Sequence, residues 1–180
     1  MAEVTLSGIT ILLAETQKPM RQAIKSSIRA MKNGGGAHIL EADDGAIALN
    51  SLLMHGQKID VALIDWEMVP MDGSVFLNVL RNEREYVAHQ KTPVIVTTSR
   101  ASPQMITTAL RLGAHAVMQK PIVPTELLSR MLSILNENSA FVMVEDALGK
   151  GKPFVGPLTK WSAEEFARPA QAENRRVIKL

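Results

Sequence analysis

Five short apolar runs, each followed by a longer amphipathic stretch, constrain the fold of this 180-residue chain more than any other feature. Runs that are apolar at most positions are typical of strands buried on both faces of a parallel sheet. Amphipathic stretches between such strands predict the helices that connect them. The sequence therefore predicts an α/β fold, a doubly wound, five-stranded parallel sheet in (βα)5 order. The predicted strands are 10–14, 37–40, 61–64, 94–97 and 116–118, and the predicted helices are 20–31, 44–53, 74–84, 102–112 and 125–135.

Composition excludes several classes of protein. The chain has no cysteine, so it can form neither a disulfide framework nor a thiolate metal site. No apolar run approaches the roughly 18 to 20 residues of a membrane span, and the N-terminal segment lacks the basic stretch of a secretory signal. We expect a cytoplasmic protein with no membrane span.

Polar side chains stand at the carboxyl ends of the predicted strands. Glu15 and Thr16 follow the first strand, and Asp65 follows the third. Thr98 and Lys120 follow the fourth and the fifth. Because ligands bind in the crevice outside the carboxyl ends of an open parallel sheet, we expect these side chains to converge on one pocket.

Two segments carry most of a resemblance to a known family. They are ALIDWEMVPMDG at 62–73 and GAHAVMQKP at 113–121, and they are joined in the expected order by ILLAE at 11–15 and PVIVTT at 93–98. Together they resemble the receiver domains of two-component signalling, the family of the chemotaxis response regulator. The resemblance covers a receiver domain at residues 8–137 and implies a flavodoxin-like fold.

The resemblance implies a role for each residue at the strand ends. Asp65 would be the phosphoacceptor, with Lys120 as the fixed cation that offsets crowded negative charge. Thr98 would donate its hydroxyl to a phosphoryl oxygen, as the switch residue of the family does. Pro121 matches the proline that follows the lysine in the family, often in a cis peptide.

The resemblance also implies a Mg²⁺ site, at which the sequence departs from the family. Glu15, Asp65 and the backbone carbonyl of Glu67 would supply the oxygen ligands that Mg²⁺ prefers. The family usually carries a second acidic residue directly after the first strand, and here that position is Thr16. We expect weakened metal binding, with Glu67 close enough to be a substitute ligand.

A second departure concerns the switch. The family often has an aromatic residue three positions before the lysine, and here that position is Val117. Valine cannot swing as a tyrosine does, so we expect any response to travel through the loop at 98–100 instead. In that loop, Arg100 is a candidate to pair with Glu67. The expected output surface is the face formed by the fourth helix, fifth strand and fifth helix.

The last residues form a different kind of segment. Residues 146–180 hold seven Lys and Arg against four Asp and Glu, and Gly and Pro interrupt their pattern. We interpret 138–180 as a basic, partly flexible extension. Its aromatic residues Phe154, Trp161 and Phe166, with a capping-box pattern at 162–165, could fold on a partner or back onto the receiver.

Two functions follow from these observations. The first is a stand-alone response regulator that takes a phosphoryl group from a histidine kinase or phosphotransfer protein and signals by protein contact, without a DNA-binding domain. The second is a pseudo-receiver that binds a partner constitutively or binds a ligand such as cyclic di-GMP through its tail. Gly156-Pro157 and Arg175-Arg176 weakly resemble the arginine-rich tail by which some single-domain receivers bind cyclic di-GMP. We expect a switch rather than an enzyme, since the sequence has no nucleophile elbow, Walker loop or dinucleotide fingerprint.

Overall fold

The computed structural model of the protein describes residues 6–30, 36–54, 58–136, 142–145 and 151–154. Five strands alternate with five helices, followed by two further strands. They are β1 (Thr10–Ala14), α1 (Lys18–Ala30), β2 (His38–Ala42), α2 (Gly45–Met54), β3 (Val61–Asp65), α3 (Gly73–Asn82), β4 (Val94–Thr98), α4 (Pro103–Arg111), β5 (Ala116–Gln119), α5 (Pro124–Asn136), β6 (Val142–Glu145) and β7 (Gly151–Phe154).

The first five strands form one parallel sheet in the order β2-β1-β3-β4-β5. The order reverses between β1 and β3, which is the switch point where open parallel sheets form a crevice. Asp65 lies opposite Thr97 of β4, and Thr98 lies opposite Gln119 of β5. The predicted α/β fold is confirmed, and its register brings the carboxyl ends of the central strands side by side.

The core lies on both faces of this sheet because successive strand residues point to opposite faces. On one face, apolar residues of the strands pack against α2, α3 and α4: Leu12, Ile64, Val96, Leu52, Phe76 and Ala109. On the other face they pack against α1 and α5: Ile11, Leu63, Ile95, Ile24, Leu127 and Met131. Burial on both faces explains why the central strands are apolar at most positions.

Side chains outside the helices fix where α3 and α4 begin. The carboxylate of Asp72 accepts hydrogen bonds at 2.9 Å from the backbone N–H groups of both Ser74 and Val75. Ser102 accepts from the N–H of Met105 at 3.1 Å, and Pro103 is the first residue of α4. Both helices therefore start just beyond the strands that carry the polar residues.

Two features were not predicted from the sequence. A 3₁₀ turn at Arg84–Tyr86 follows α3, and β6 pairs with β7 in an antiparallel hairpin within the C-terminal extension. The predicted tail features at Trp161, Phe166, 162–165, 156–157 and 175–176 lie outside the described residues. Among the helices that are described, none combines the length and apolar character needed to cross a bilayer.

Candidate functional site

The parallel register brings the predicted site residues to one edge of the sheet. Asp65 and Thr98 are the last residues of β3 and β4, and both are buried. Glu15 and Lys120 directly follow β1 and β5, and the carboxylate of Glu15 is also buried. Glycine at position 73 permits the approach of α3, since a Cβ there would lie 2.9 Å from the carbonyl oxygen of Asp65.

Lys120 connects two of these carboxylates. Its Nζ lies 2.6 Å from Oε2 of Glu15 and 2.9 Å from Oδ1 of Asp65, and the three side chains are 7, 1 and 4% exposed. Burial alone would lower the pKa of Lys120, but the hydrogen bonds to Glu15 and Asp65 outweigh it and the pKa is raised. The ammonium group is therefore held charged beside Asp65. The peptide bond between Lys120 and Pro121 is cis, as the resemblance implied.

Arg21, which sequence reasoning did not single out, holds the loop that carries Glu15. Its guanidinium donates to the backbone carbonyl of Glu15 and forms ion pairs with Glu41 at 3.2 Å and Asp43 at 2.7 Å. Oε1 of Glu15, the carboxylate oxygen that does not contact Lys120, accepts from the N–H of Gln17 at 2.9 Å. Both the backbone and the carboxylate of Glu15 are thus fixed. The sequence around Arg21 does not indicate this role, because the carboxylates that hold its guanidinium, those of Glu41 and Asp43, lie about 20 residues further along the chain.

The Thr98 hydroxyl is directed at Glu67. Thr98 Oγ1 donates to Oε1 of Glu67, and the N–H of Ser99 donates to both carboxylate oxygens at 3.2 and 3.1 Å. The N–H of Arg100 donates in turn to Thr98 Oγ1 at 3.1 Å. The predicted pairing of Arg100 with Glu67 is not found among the ion pairs of the described residues; the carboxylate accepts instead from the Thr98 hydroxyl and the Ser99 N–H.

The side-chain oxygen atoms at Asp65 and Glu15 are of the chemical type that Mg²⁺ binds. Mg²⁺ takes one or two carboxylates and keeps several waters, and Glu15 and Asp65 supply two carboxylates. Oδ1 of Asp65 accepts from the N–H of Glu67 at 3.3 Å and from Lys120. Within the described ranges, no three His, Cys, Asp or Glu side chains gather as a metal-holding group. Thr16 is exposed and adds no carboxylate, so the set is smaller than the family pattern implies.

A second buried cation, Arg81, lies at the amino-terminal ends of β4 and β5, opposite the site at their carboxyl ends. Its guanidinium donates to three backbone carbonyls, those of Gln90 at 2.8 Å, Thr92 at 2.9 Å and Gly113 at 3.0 Å. Gly113 has φ +96, and a Cβ there would lie 2.8 Å from Nε of Arg81. Burial lowers the pKa of Arg81 to about 9. Arg81 therefore ties α3 to the segments that precede β4 and β5.

His115 lies beside this cation. Its Nδ1 accepts from the backbone N–H of Val94 at 3.1 Å, which requires Nδ1 to be unprotonated. Burial, and secondly the charge of Arg81, lower the pKa of His115 to about 3. His115 is therefore a neutral structural residue at neutral pH.

Comparison with known proteins shows which family the sequence matches. The sequence profile of the response regulator receiver domain matches residues 11–132. The chemotaxis protein CheY of Pseudomonas aeruginosa is 30% identical over 124 residues, which are 69% of this chain and 94% of that protein. A chemotaxis protein CheY homolog of Campylobacter jejuni is 27% identical over 129 residues, which are 72% of this chain and 94% of the homolog.

Solved structures show the same architecture. The receiver domain of a Francisella response regulator is 27% identical, with a TM-score of 0.59 over 71% of this chain and 97% of that one. The chemotaxis protein CheY4 of Vibrio cholerae is 24% identical, with a TM-score of 0.61 over 71% of this chain and 98% of that one. At this identity the second likeness concerns the fold alone.

Proposed function

The chain belongs to the response regulator receiver domain family, and we propose that it accepts a phosphoryl group on Asp65 from a histidine kinase or phosphotransfer protein. Its similarity to chemotaxis proteins of the CheY type supports a response-regulator role. In this proposal the protein is a cytoplasmic switch that signals by protein contact, rather than an enzyme.

One observation carries this proposal, namely the position of Lys120 between Glu15 and Asp65. A carboxylate nucleophile that approaches an anionic phosphoryl group needs fixed positive charge nearby. Nζ of Lys120 lies 2.9 Å from Oδ1 of Asp65 and is nearly buried, so its charge acts where water screens it little. Such a buried lysine at the end of a strand is unusual unless it is paired.

The transfer itself exchanges one bond to phosphorus for another. An oxygen of the Asp65 carboxylate attacks phosphorus, the bond from phosphorus to the donor's imidazole nitrogen breaks, and that nitrogen keeps the electron pair. Lys120 stays charged throughout and offsets the negative charge that gathers beside Asp65. Mg²⁺, when bound by Glu15, Asp65 and the backbone carbonyl of Glu67, would supply further charge neutralisation on the phosphoryl oxygens.

The output surface belongs to the same proposal. Among the residues of α4, only Ala109 is fully buried, and Val123, which directly precedes α5, is 50% exposed. A downstream protein would therefore meet a helix whose side chains are mostly accessible. We place its binding surface on the face formed by α4, β5 and α5.

A pseudo-receiver is the second candidate function, and two observations favour it. Thr16 stands where the family pattern has an acidic residue, and Val117 is buried with no aromatic ring to move. In this alternative the protein would bind its partner constitutively, or respond to a tail ligand such as cyclic di-GMP.

Amide NMR with Mg²⁺ and then beryllofluoride, a phosphoryl mimic, tests the proposal. We expect saturable shifts at Asp65, Thr98 and Lys120 that are lost in Asp65→Asn. Asp44→Asn is the matched control, since Asp44 caps α2 through its side-chain oxygen and Asn caps helices equally well. Unchanged spectra at the three residues in the wild-type protein would instead favour the pseudo-receiver.

A further inference from the structure

Glu67 is placed to contact both the phosphoacceptor and the switch residue. It lies two residues beyond Asp65, and its own N–H donates to Oδ1 of Asp65 at 3.3 Å. Its carboxylate then reaches across to the end of β4, where it accepts from the Thr98 hydroxyl and the Ser99 N–H. One residue thus connects Asp65 to the loop that follows β4.

The two donors that contact Glu67 suit a phosphoryl group as well as a carboxylate. A hydroxyl and a backbone N–H both donate to anionic oxygens through charge-assisted hydrogen bonds, which are stronger than hydrogen bonds between neutral groups. The Thr98 hydroxyl belongs to a fully buried residue, so the supply of water as a competing partner is limited. An anion that binds at this place determines where the loop lies.

We propose that the Glu67 carboxylate is an internal substitute for the phosphoryl group, holding residues 98–100, the switch loop, in place before any phosphorylation. In the unphosphorylated protein, Thr98 and Ser99 donate to Glu67, and Arg100 donates to Thr98. The loop therefore starts in the anion-bound arrangement. A phosphoryl group on Asp65 has to displace the Glu67 carboxylate to reach the same two donors, a step that rests on the proposed function.

Two consequences separate this role from that of an incidental surface carboxylate. Removing Glu67 should loosen the switch loop even when Asp65 is unmodified. In the wild-type protein, phosphorylation should shift the loop amides less than it does in Glu67→Ala, because one anion replaces another. A receiver with Val117 in place of an aromatic residue could thus hold its loop without ring movement.

The first experiment needs no phosphorylation and compares amide hydrogen exchange in the wild-type protein, Glu67→Ala and Glu67→Gln. We expect the Ser99 N–H to exchange about tenfold faster or more in Glu67→Ala, with an intermediate rate in Glu67→Gln, whose neutral amide oxygen still accepts. Glu85→Ala, which removes an exposed carboxylate from the turn after α3, is the matched control and should leave the rate unchanged. Equal Ser99 rates in Glu67→Ala and wild type would overturn the proposal.

A second variant removes the donor of the hydrogen bond between Thr98 and Glu67 instead of its acceptor. Thr98→Val removes the hydroxyl while keeping the shape of the side chain, so the Arg100 N–H loses its acceptor and Glu67 loses a donor. We expect faster exchange at both Ser99 and Arg100. Exchange at Arg100 that stays as slow as in the wild type would contradict the chain of hydrogen bonds.

The second experiment adds beryllofluoride and Mg²⁺ to the wild type and to Glu67→Ala, with Asp65→Asn as the control for uptake. We expect the Ser99 and Arg100 amide shifts to move at least several-fold further in Glu67→Ala, toward their positions in the untreated wild type. Equal movement in the two proteins would show that Glu67 does not substitute for the phosphoryl group. If no protein takes up the mimic, the proposed function fails, while the exchange rates still decide whether Glu67 holds the loop.

Discussion

At the scale of single residues, the feature with the largest consequence is the buried triad of one lysine and two carboxylates. Removing the cation from such a group leaves buried negative charge without compensation, which is among the most destabilising single changes. The same pairing geometry at the surface contributes little, because water screens it. The chain contains both situations, which permits a matched comparison.

Lys120→Met should lower the free energy of unfolding by about 3 kcal/mol at neutral pH, measured by urea denaturation. Lys58→Met is the control: Lys58 lies 2.9 Å from Asp60, but its side chain is 88% exposed, so we expect a loss below about 1 kcal/mol. Since the pKa of Lys120 is raised on folding, its contribution is present below its usual pKa of about 10.4 and is lost as the pH rises further. Equal losses in the two variants would contradict the assigned burial.

Thr16→Asp should strengthen Mg²⁺ binding by about tenfold or more, because it adds a carboxylate to a site that now has two. Thr16→Asn, whose side chain is the size of aspartate but uncharged, should increase Mg²⁺ affinity little. The fluorescence of Trp66, which directly follows Asp65, reports binding in a Trp161→Phe background. A carboxylate at position 16 that leaves Mg²⁺ affinity unchanged would show that Thr16 is not at the metal site.

The site residues that could be predicted from the sequence are those at the ends of strands, because the fold alone then determines where they lie. Asp65 ends β3 and Lys120 directly follows β5 of a parallel sheet, so their convergence follows from the fold. Arg21 and the side chain of Glu67 were different, because their roles depend on side-chain direction across elements distant in sequence. The expected contact between Glu67 and Arg100 illustrates this limit, since the loop N–H and the Thr98 hydroxyl hold the carboxylate instead.

At the scale of elements, strand ends were predicted one residue short where a polar residue closes the strand. The apolar run before Asp65 stops at Ile64, but β3 continues because the N–H of Trp66 still donates to the carbonyl of Thr97 at 2.8 Å. Backbone pairing rather than apolar character decides where a strand ends. Asp65 and Thr98 are therefore part of the sheet, which makes their positions rigid.

The connection from α3 to β4 and β5 is stabilised by Arg81 and His115, and it gives a pH dependence. Because the pKa of His115 is about 3 in the folded protein and about 6.5 when unfolded, the unfolded chain binds a proton first as the pH falls. The stability supplied by neutral His115 is complete above about pH 6.5 and is lost progressively toward pH 3.

His115→Asn should remove this dependence, since the Asn side-chain oxygen can still accept from the Val94 N–H but does not titrate. Between about pH 7 and pH 5, the wild type should lose roughly 2 kcal/mol more unfolding free energy than the variant. Urea denaturation of both proteins at the two pH values measures the difference. Parallel losses would show that His115 is not held neutral by its surroundings.

At the scale of the whole molecule, the alternation of strands and helices and the doubly wound parallel sheet followed from hydrophobic pattern, because strands buried on both faces leave few alternatives. The hairpin of β6 and β7 did not, since Gly and Pro around it interrupt the alternation that indicates a strand. The separation of a receiver at 8–137 from the extension at 138–180 stays a prediction.

The proposed function depends on transfer of a phosphoryl group to Asp65. The most direct measurement is the intact mass of the protein after incubation with acetyl phosphate and Mg²⁺, where the bond from phosphorus to acetate breaks as the bond to Asp65 forms. We predict one added phosphoryl group in the wild type and in Asp44→Asn, removed by hydroxylamine, and none in Asp65→Asn. An unchanged wild-type mass, with Thr16→Asp equally unmodified, would contradict the claim and favour a receiver fold that signals without phosphorylation.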